Sequence, residues 1–223
     1  MLPEWLPWLL QSNDSQFPSG AYAHSMGLEE LVQRGAVSNP DELEVFLQQQ
    51  VLPSLLAFEV PFLMAAHACA ANNDIAGLRV LDEELEAWRL SEELRQASRQ
   101  IGSRRLSLVH KLDAQPMLAT YAASGAPCHH LIVCALELRN APASVAACAF
   151  AWQTIAGYAS SAMKLMRLGQ ERCQSMTHRT MTLLAPRLEQ AMQTPLADVG
   201  WFNPLIEIAS MRHARARERL FIS

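Results

Sequence analysis

Helix start and stop signals recur along this chain and constrain its fold more than any other feature. Asn39-Pro40-Asp41-Glu42 combines an N-cap residue, a proline at the first helical position and two acids in the first turn. Gly35, Gly125 and Gly169 each follow an apolar periodic segment, at positions where glycine commonly ends a helix. No segment shows the alternating pattern of a strand. The sequence therefore predicts an all-α fold.

The composition supports this prediction and bounds the domain organisation. Ala, Leu, Met, Gln and Glu abound in the 223 residues, half of which are apolar, and these types favour helices. The chain has no low-complexity linker and no internal repeat, so we expect one domain over residues 1–223, a bundle of roughly nine or ten helices. The last helix is expected to begin at Pro204 and to lead into a tail, which makes 204–223 a C-terminal partner-docking segment.

Charge and cysteine usage narrow the class of protein. The net charge of -4 argues against bulk nucleic-acid binding. Five cysteines without paired spacing are typical of reduced thiols in a cytoplasmic protein. The N-terminus lacks the basic and apolar regions of a signal peptide. Residues 141–162 form a long apolar stretch without charge, with its single proline at Pro142 near the start, and we interpret them as a buried helix, so no membrane is expected.

The segment from Pro142 to Leu168 is unusually rich in alanine, glycine and serine. Small side chains let neighbouring helices approach closely on several faces. We expect this helix to run through the middle of the domain, because all-round apolarity usually means burial within one chain. The alternative is the seam of a homodimer.

Searches for catalytic motifs find no P-loop, no nucleophile elbow and no HExxH zinc motif. Polar residues crowd one turn before a helix, and a Ser/His/Asp arrangement from Asp14, His24 and Ser25 is one hypothesis for them. Local capping is the other, because Asp and Ser side chains readily bond nearby backbone N–H groups. We favour a structural turn; its residues are Asp14, Ser15, Pro18 and Gly20.

One cluster contains ligands that suit a soft metal. His130 and Cys134 are one helical turn apart, and Cys128 precedes them, so the three could share a metal ion. The favoured interpretation is a buried helix in which the cysteines are small core residues. The acidic run 82–86 is interpreted as a solvated face.

The last twelve residues carry four arginines against one glutamate and then the apolar Leu220-Phe221-Ile222. Arginine suits carboxylate or phosphate partners, and an apolar end suits a groove. The residues alone leave two alternatives equally open: the tail docks on its own domain, or it docks on a partner. In either case we expect Leu205, Ile208 and Met211 to bury one face of the last helix.

Four blocks in order resemble the urease accessory protein UreF family. They are the stretch 14–29, which includes Phe-Pro-Ser-Gly-Ala-Tyr and Gly-Leu-Glu; the stretch 94–102; the stretch 162–170, which ends in Leu-Gly-Gln; and the C-terminal Ser-Met-Arg-His with the later Arg-Leu-Phe. The chain departs from the family pattern at Arg167, Ala214, Arg217 and Ile222, which bears on partner specificity more than on fold.

The resemblance implies an all-α homodimer that is not an enzyme. It implies a nickel-insertion chaperone whose partners are UreD (also called UreH), the GTPase UreG and the urease apoprotein. Nickel would be handled transiently by the complex, with no permanently bound cofactor. A nickel-binding protein using Cys128, His130 and Cys134 is the alternative. The resemblance, together with the sequence of the tail, gives these candidate partner-binding residues: Tyr22, His24, Arg212, His213, Arg219, Leu220 and Phe221.

Overall fold

Ten α-helices and no strand make up the computed structural model, which describes residues 1–223. The all-α prediction and the expected helix count are therefore confirmed. The helices are α1 (Trp5–Ser12), α2 (Leu28–Gln33), α3 (Pro40–Ala71), α4 (Ile75–Trp88), α5 (Glu92–Leu112), α6 (Pro116–Ala123), α7 (His130–Glu137), α8 (Ala143–Leu165), α9 (Gln170–Met192) and α10 (Pro204–His213).

Helix α3 continues through two prolines that the sequence suggested as breaks. A proline at this position predicts the start of a new helix, but Pro61 lies within α3. Wider π-helical turns at Leu47–Val51 and Leu55–Glu59 precede Pro53 and Pro61, and such turns accommodate a residue that cannot complete the α-helical ladder. Proline has no N–H to donate, and the carbonyl of Ala57 accepts instead from the amide of Gly200 at 3.3 Å.

The same helix is apolar enough, by length and composition, to cross a membrane. Its most apolar 18-residue window has a mean hydropathy of 1.5, and 56% of that window is buried inside the protein. A core helix meets the same criteria, so the observation is weak support for a membrane span. The apolar maximum of the chain thus lies in α3, and not in the alanine-rich segment.

Helix α7 is the most enclosed element of the fold. Every residue from Leu131 to Leu136 is at most 1% exposed, because α3 and α5 pack on two sides of the helix. Helix α8 instead packs along α9 and keeps one side open. The expectation that α8 is buried all round is therefore wrong, since Cys148, Trp152 and Met163 are exposed on it.

A buried ion pair between Arg105 and Glu137 joins α5 to α7, next to the end of α1. The guanidinium of Arg105 donates to both carboxylate oxygens of Glu137, at 2.5 and 3.1 Å, and the two side chains are 2% and 0% exposed. The same guanidinium donates to the carbonyl of Ser12 at 3.0 Å, which fixes the end of α1. Two charges taken out of water need each other, because removal of one leaves the other uncompensated.

We expect Glu137→Ala to lower the free energy of unfolding by about 3–5 kcal/mol, because it strands a buried guanidinium. The double variant Arg105→Met/Glu137→Leu should cost clearly less than the single change, since no charge is left behind. Urea titrations followed by circular dichroism measure both. If Glu137→Ala lowers the free energy of unfolding by less than about 1 kcal/mol, the ion pair behaves like a solvent-exposed salt bridge, and the prediction is wrong.

Candidate functional site

Helix α10 turns a polar, small-residue face toward the domain. Its buried residues are Ile206, Ala209, Ser210 and His213. The carboxylate of Glu207 accepts from the amide of Ser91 at 2.6 Å, and the hydroxyl of Ser91 donates to that of Ser210 at 2.9 Å. These bonds, made to the start of α5, decide which face of α10 lies inward.

The expectation that Leu205, Ile208 and Met211 are buried is wrong. They are 41%, 46% and 44% exposed, and Phe202 just before them is 66% exposed. The apolar side of the helix therefore faces outward, because the inward side is occupied by hydrogen-bonding groups that need the contacts with α5.

Asn203 sets the entry angle of α10. Its side-chain oxygen accepts from the amide of Ile206 at 3.2 Å and so caps the helix, while its amide group donates to the carbonyl of Gln50 at 3.3 Å. Gln50 belongs to the first π-helical turn of α3. The helix is thus anchored to the centre of the fold at its first turn.

His213 lies inside the protein and not on the docking surface predicted for it. Its ring is fully buried, with Nδ1 at 2.7 Å from a carboxylate oxygen of Glu93 and Nε2 at 2.9 Å from one of Glu29. One imidazole thereby links α10 to α5 and to α2. Buried polar groups of this kind need partners, because each is costly to bury alone.

The chain continues from His213 and returns to the same carboxylate. The amides of Leu220 and Phe221 donate to Glu29 at 2.7 and 2.9 Å. Burial raises the pKa of Glu29, but the hydrogen bonds from Leu220, His213 and Phe221 outweigh it and hold the pKa below its ordinary value. We call Glu29, Glu93, His213 and the amides of Leu220 and Phe221 the tail latch.

The candidate residues of the tail therefore divide into two groups. Phe221 is 4% exposed, so the expectation that it projects toward a partner is wrong for the isolated chain. Leu220 and Arg212 are exposed, and Arg219 lies 3.7 Å from Glu93 while remaining 42% exposed. The sequence left two alternatives open, docking of the tail on its own domain or on a partner. For the buried residues His213 and Phe221, the structure shows docking on the domain.

The last two residues lie along the loop before α2. The amide of Ile222 donates to the carbonyl of Ala23 at 2.8 Å, and both the amide and the hydroxyl of Ser25 donate to the carbonyl of Ser223. Ser25 also accepts from the amide of Glu29 at 3.3 Å, so the expected capping role is observed together with a tail contact.

His24 is buried in this loop and is not available on the surface for a partner. Its Nδ1 lies 2.8 Å from the hydroxyl of Ser223, and its Nε2 has no hydrogen-bond partner in the protein. Burial, with the nearby Arg104 guanidinium, lowers the pKa of His24 to about 4. The imidazole makes no hydrogen bond to Asp14 or Ser25, so the three are not linked as a catalytic triad.

Tyr22 is the exposed member of the loop, with 72% of its surface accessible. The ammonium of Lys164 donates to the carbonyl of Tyr22 at 3.1 Å and lies 5.5 Å from its ring and 5.1 Å from the ring of Phe221. Lys164 therefore contacts both the loop and the tail from the end of α8.

The turn itself is built as local hydrogen bonding predicts. Asp14 accepts from the amide of Gln16 at 2.7 Å, and Ser15 is exposed beside it. Gly20, two residues after Pro18, has a φ of 85°, in the left-handed region that disfavours side chains. A Cβ there would also lie 2.7 Å from the guanidinium of Arg104, whose exposed side chain can move aside, so it is the backbone conformation that requires glycine.

A cavity of about 340 Å³ separates this loop from α8. His24 and His130 line it and each has a buried Nε2 without a protein partner. Its other lining groups include the rings of Phe17 and Trp152 and the amide of Gln153. The cavity is therefore a mixed polar and apolar cleft under the conspicuous sequence block 14–29.

The proposed metal ligands do not assemble. No group of three or more His, Cys, Asp or Glu side chains is placed to hold a metal ion. Cys134 is 1% exposed in α7, and burial raises the pKa of its thiol to about 12. Burial lowers the pKa of His130, which packs against Phe150, to about 3. The structure thus contradicts a site made of Cys128, His130 and Cys134.

The acidic run 82–86 is not wholly solvated as expected. Asp82 is fully buried and accepts from the hydroxyl of Tyr121 and the amides of Cys128 and His129, at 2.6, 2.6 and 3.0 Å. Burial raises its pKa, and these bonds partly offset the effect. Asp82 lies at helical spacing with Leu78 and Leu85, so the sequence pattern already places it on the buried apolar side of α4.

Comparisons with known proteins identify the family to which this chain is similar. The profile of the UreF family matches residues 37–181. The chain is 34% identical to the urease accessory protein UreF of Azotobacter vinelandii over 225 aligned positions, covering 96% of this chain and 97% of that protein. The chain belongs to the UreF family of urease accessory proteins.

Two further relatives extend the likeness to the termini. The urease accessory protein UreF of Pseudomonas fluorescens is 33% identical over 231 aligned positions and covers both chains fully. That of Actinobacillus pleuropneumoniae is 29% identical over 221 positions, covering 96% of this chain. The matched family profile ends before α10, whereas these UreF relatives align through most or all of it.

Sequence reasoning missed the residues that hold the site together. Glu29 and Lys164 stand inside the blocks that carry the UreF resemblance, but nothing local marks their contacts with the tail. Glu93 gave no signal, since its partner His213 is 120 residues away. A charged residue among buried neighbours in α2, where Leu28 and Leu31 flank Glu29, was the one available hint.

We expect stability to fall as the pH drops below 6.5. Burial, with neighbouring arginines, lowers the pKa of His24 to about 4 and of His129 and His130 to about 3, against 6.5 for the free side chain. The unfolded chain then binds more protons than the folded one, so each histidine should cost about 2 kcal/mol between pH 7 and pH 5.

Urea unfolding at the two pH values measures this loss. His24→Gln should make the difference between pH 7 and pH 5 smaller by about 2 kcal/mol, since one histidine with a lowered pKa is gone. His110→Gln, at an exposed position on α5, is the matched control and should leave the difference unchanged. If the wild type, His24→Gln and His110→Gln all lose the same free energy of unfolding between pH 7 and pH 5, then His24 does not cause the loss, and the prediction is wrong.

Proposed function

We propose that this UreF-family chain is a nickel-insertion chaperone of the cytoplasm that has no catalytic activity of its own. It would scaffold UreD (UreH) and the GTPase UreG on the urease apoprotein while the nickel centre is assembled, with nickel handled by the complex. Membership of an accessory-protein family supports this proposal, and so does a surface suited to a protein partner.

The outward face of α10 is the observation that carries the proposal. Phe202, Leu205 and Ile208 form an apolar stripe at helical spacing, and Arg212 follows one turn later. Among the tail arginines, Arg219 alone approaches a carboxylate. An apolar stripe that ends in free guanidinium groups suits a partner groove bordered by acidic residues.

UreD is the partner that we assign to this face. Exposed apolar residues beside arginine resemble the centre of a protein interface, where truncation of a few side chains removes most of the affinity. The surface is also rigid, because Asn203 and the tail latch hold both ends of α10. A partner therefore meets an ordered helix and does not have to order it.

We expect Ile208→Asp to abolish co-purification with UreD while leaving the melting temperature within a few degrees of the wild type. The side chain is already half exposed, so a charge there costs the isolated fold little. Val80→Asp, at a 58% exposed position on α4, is the matched control and should retain UreD. Retention of UreD by Ile208→Asp would remove α10 from the interface.

Deletion of residues 212–223 is a less informative experiment. It removes His213 and Phe221 from the interior and leaves Glu29 and Glu93 buried without their partners. Loss of UreD binding by such a truncated chain would not separate a lost interface from a damaged fold.

We further propose a homodimer whose seam includes the open side of α8. Trp152, Gly157, Ser160 and Met163 are exposed there, and the small residues among them permit close approach of a second helix. The exposed side of α8 supports the dimer seam that the sequence left open as an alternative for this helix. An apolar helix face of this kind is typical of obligate dimers.

Light scattering at micromolar concentration should give about twice the 24.8 kDa of one chain. Gly157→Arg should shift the mass to that of a monomer, since the position has open space in one chain but none in a close-packed seam. Ser103→Arg, on the exposed side of α5, is the control. A dimer that persists in Gly157→Arg would place the seam elsewhere.

A further inference from the structure

Glu29 gathers hydrogen-bond donors from remote parts of the chain. One carboxylate oxygen accepts from the amide of Leu220 and from the side chain of Gln33, at 2.7 and 3.2 Å. The other accepts from Nε2 of His213 and the amide of Phe221, both at 2.9 Å. Three of these four donors belong to α10 and the tail, and the side chain of Glu29 is only 2% exposed.

This arrangement fixes the register of the tail. Glu29 holds the amides of Leu220 and Phe221 where the ring of Phe221 is only 4% exposed, and a slip by one residue would carry that ring out of the interior. His213 and Leu220 both contact the carboxylate of Glu29, so residues 214–219 form a loop between two fixed ends. That stretch carries Arg215 and Arg217, both exposed.

The register also sorts the two apolar residues at the end of the tail. Phe221 points into the protein, where Lys164 lies over its ring, while Leu220 is 63% exposed. A tail freed from Glu29 would no longer present Leu220 and the arginines at set positions. Ordering a mobile segment on binding reduces affinity, so the latch favours a partner that meets the ordered tail.

We propose that Glu29 is a positioning residue for partner docking: it holds the tail in the one register that presents Arg212, Arg215, Arg217 and Leu220 to UreD. The proposal rests on the proposed function. Glu29 itself is buried and touches no partner, and its effect passes through His213 and the two tail amides.

Glu29→Gln is the decisive variant, and Glu30→Gln is its matched control. The amide keeps the shape of the side chain but replaces one acceptor oxygen by a donor that faces other donors. Glu30 is the next residue of α2 and is also buried, yet its carboxylate pairs with Arg34 and makes no contact with the tail. Any effect of losing a buried charge from α2 is shared by the two variants.

Two measurements separate positioning from general support of the fold. Hydrogen exchange at the amides of Leu220 and Phe221 should become at least tenfold faster in Glu29→Gln than in Glu30→Gln, while amides of α7 stay protected in both. The dissociation constant for UreD should rise at least tenfold in Glu29→Gln alone. A merely structural role would instead change the exchange of α7 and the tail together.

A disulfide that holds the tail in place tests the positioning role of Glu29 in a second, independent way. Ala23→Cys with Ile222→Cys, in a Cys148→Ser background, joins two residues whose backbones are already hydrogen bonded. Oxidation should restore UreD binding to Glu29→Gln, and reduction should remove it again. A tethered Glu29→Gln chain that still fails to bind UreD would overturn the positioning role.

Leu220→Pro provides a second route if Glu29→Gln folds poorly, because it removes one tail amide without touching α2. It should weaken UreD binding at least tenfold more than Leu220→Ala, which keeps the N–H. Wild-type binding in Glu29→Gln, or unchanged exchange of its tail amides, overturns the inference. A wild-type chain that does not bind UreD, although its tail amides respond to Glu29→Gln, overturns the proposed function and this inference with it.

Discussion

One buried imidazole between two carboxylates holds the C-terminal end of this protein to the rest of the fold. His213 connects α10 to Glu29 of α2 and Glu93 of α5, and Glu29 then receives the tail amides. Each group is costly to bury alone, so the set is formed completely or not at all. The loop 20–25, the start of α2 and the tail are therefore one structural unit rather than three separate segments.

The exposed apolar face of α10 follows from how the helix is anchored. Hydrogen-bonding residues on one side of the helix take the inward position, and its apolar side is left outside. The anchor reaches into α3, where a carbonyl freed by Pro61 accepts from Gly200 and Gln50 accepts from Asn203. A residue that usually breaks helices thus frees a carbonyl that helps to attach the segment leading into α10.

Much of the fold was readable because its signals are local. Asn39 caps α3 as expected, and Pro204 opens α10. The left-handed turn at Gly20 also follows from residue type, and the block resemblance identified the UreF family before any contact was known. Errors arose where a local rule was overridden: Pro61 continues a helix through a π-helical turn, and Asp82 is buried within an acidic run because three donors meet it.

The sequence by itself determined an all-α chain, most helix boundaries and membership of a urease accessory family, since caps, periodicity and ordered motifs are encoded within a few residues. Only the tertiary structure decided that His24, His213 and Phe221 are interior, that Ile208 faces out and that Cys128, His130 and Cys134 do not share a site. These facts depend on contacts between residues far apart in the chain, up to 199 positions for His24 and Ser223. A carboxylate that looks solvated in the sequence becomes a buried acceptor only when the chain folds back on it.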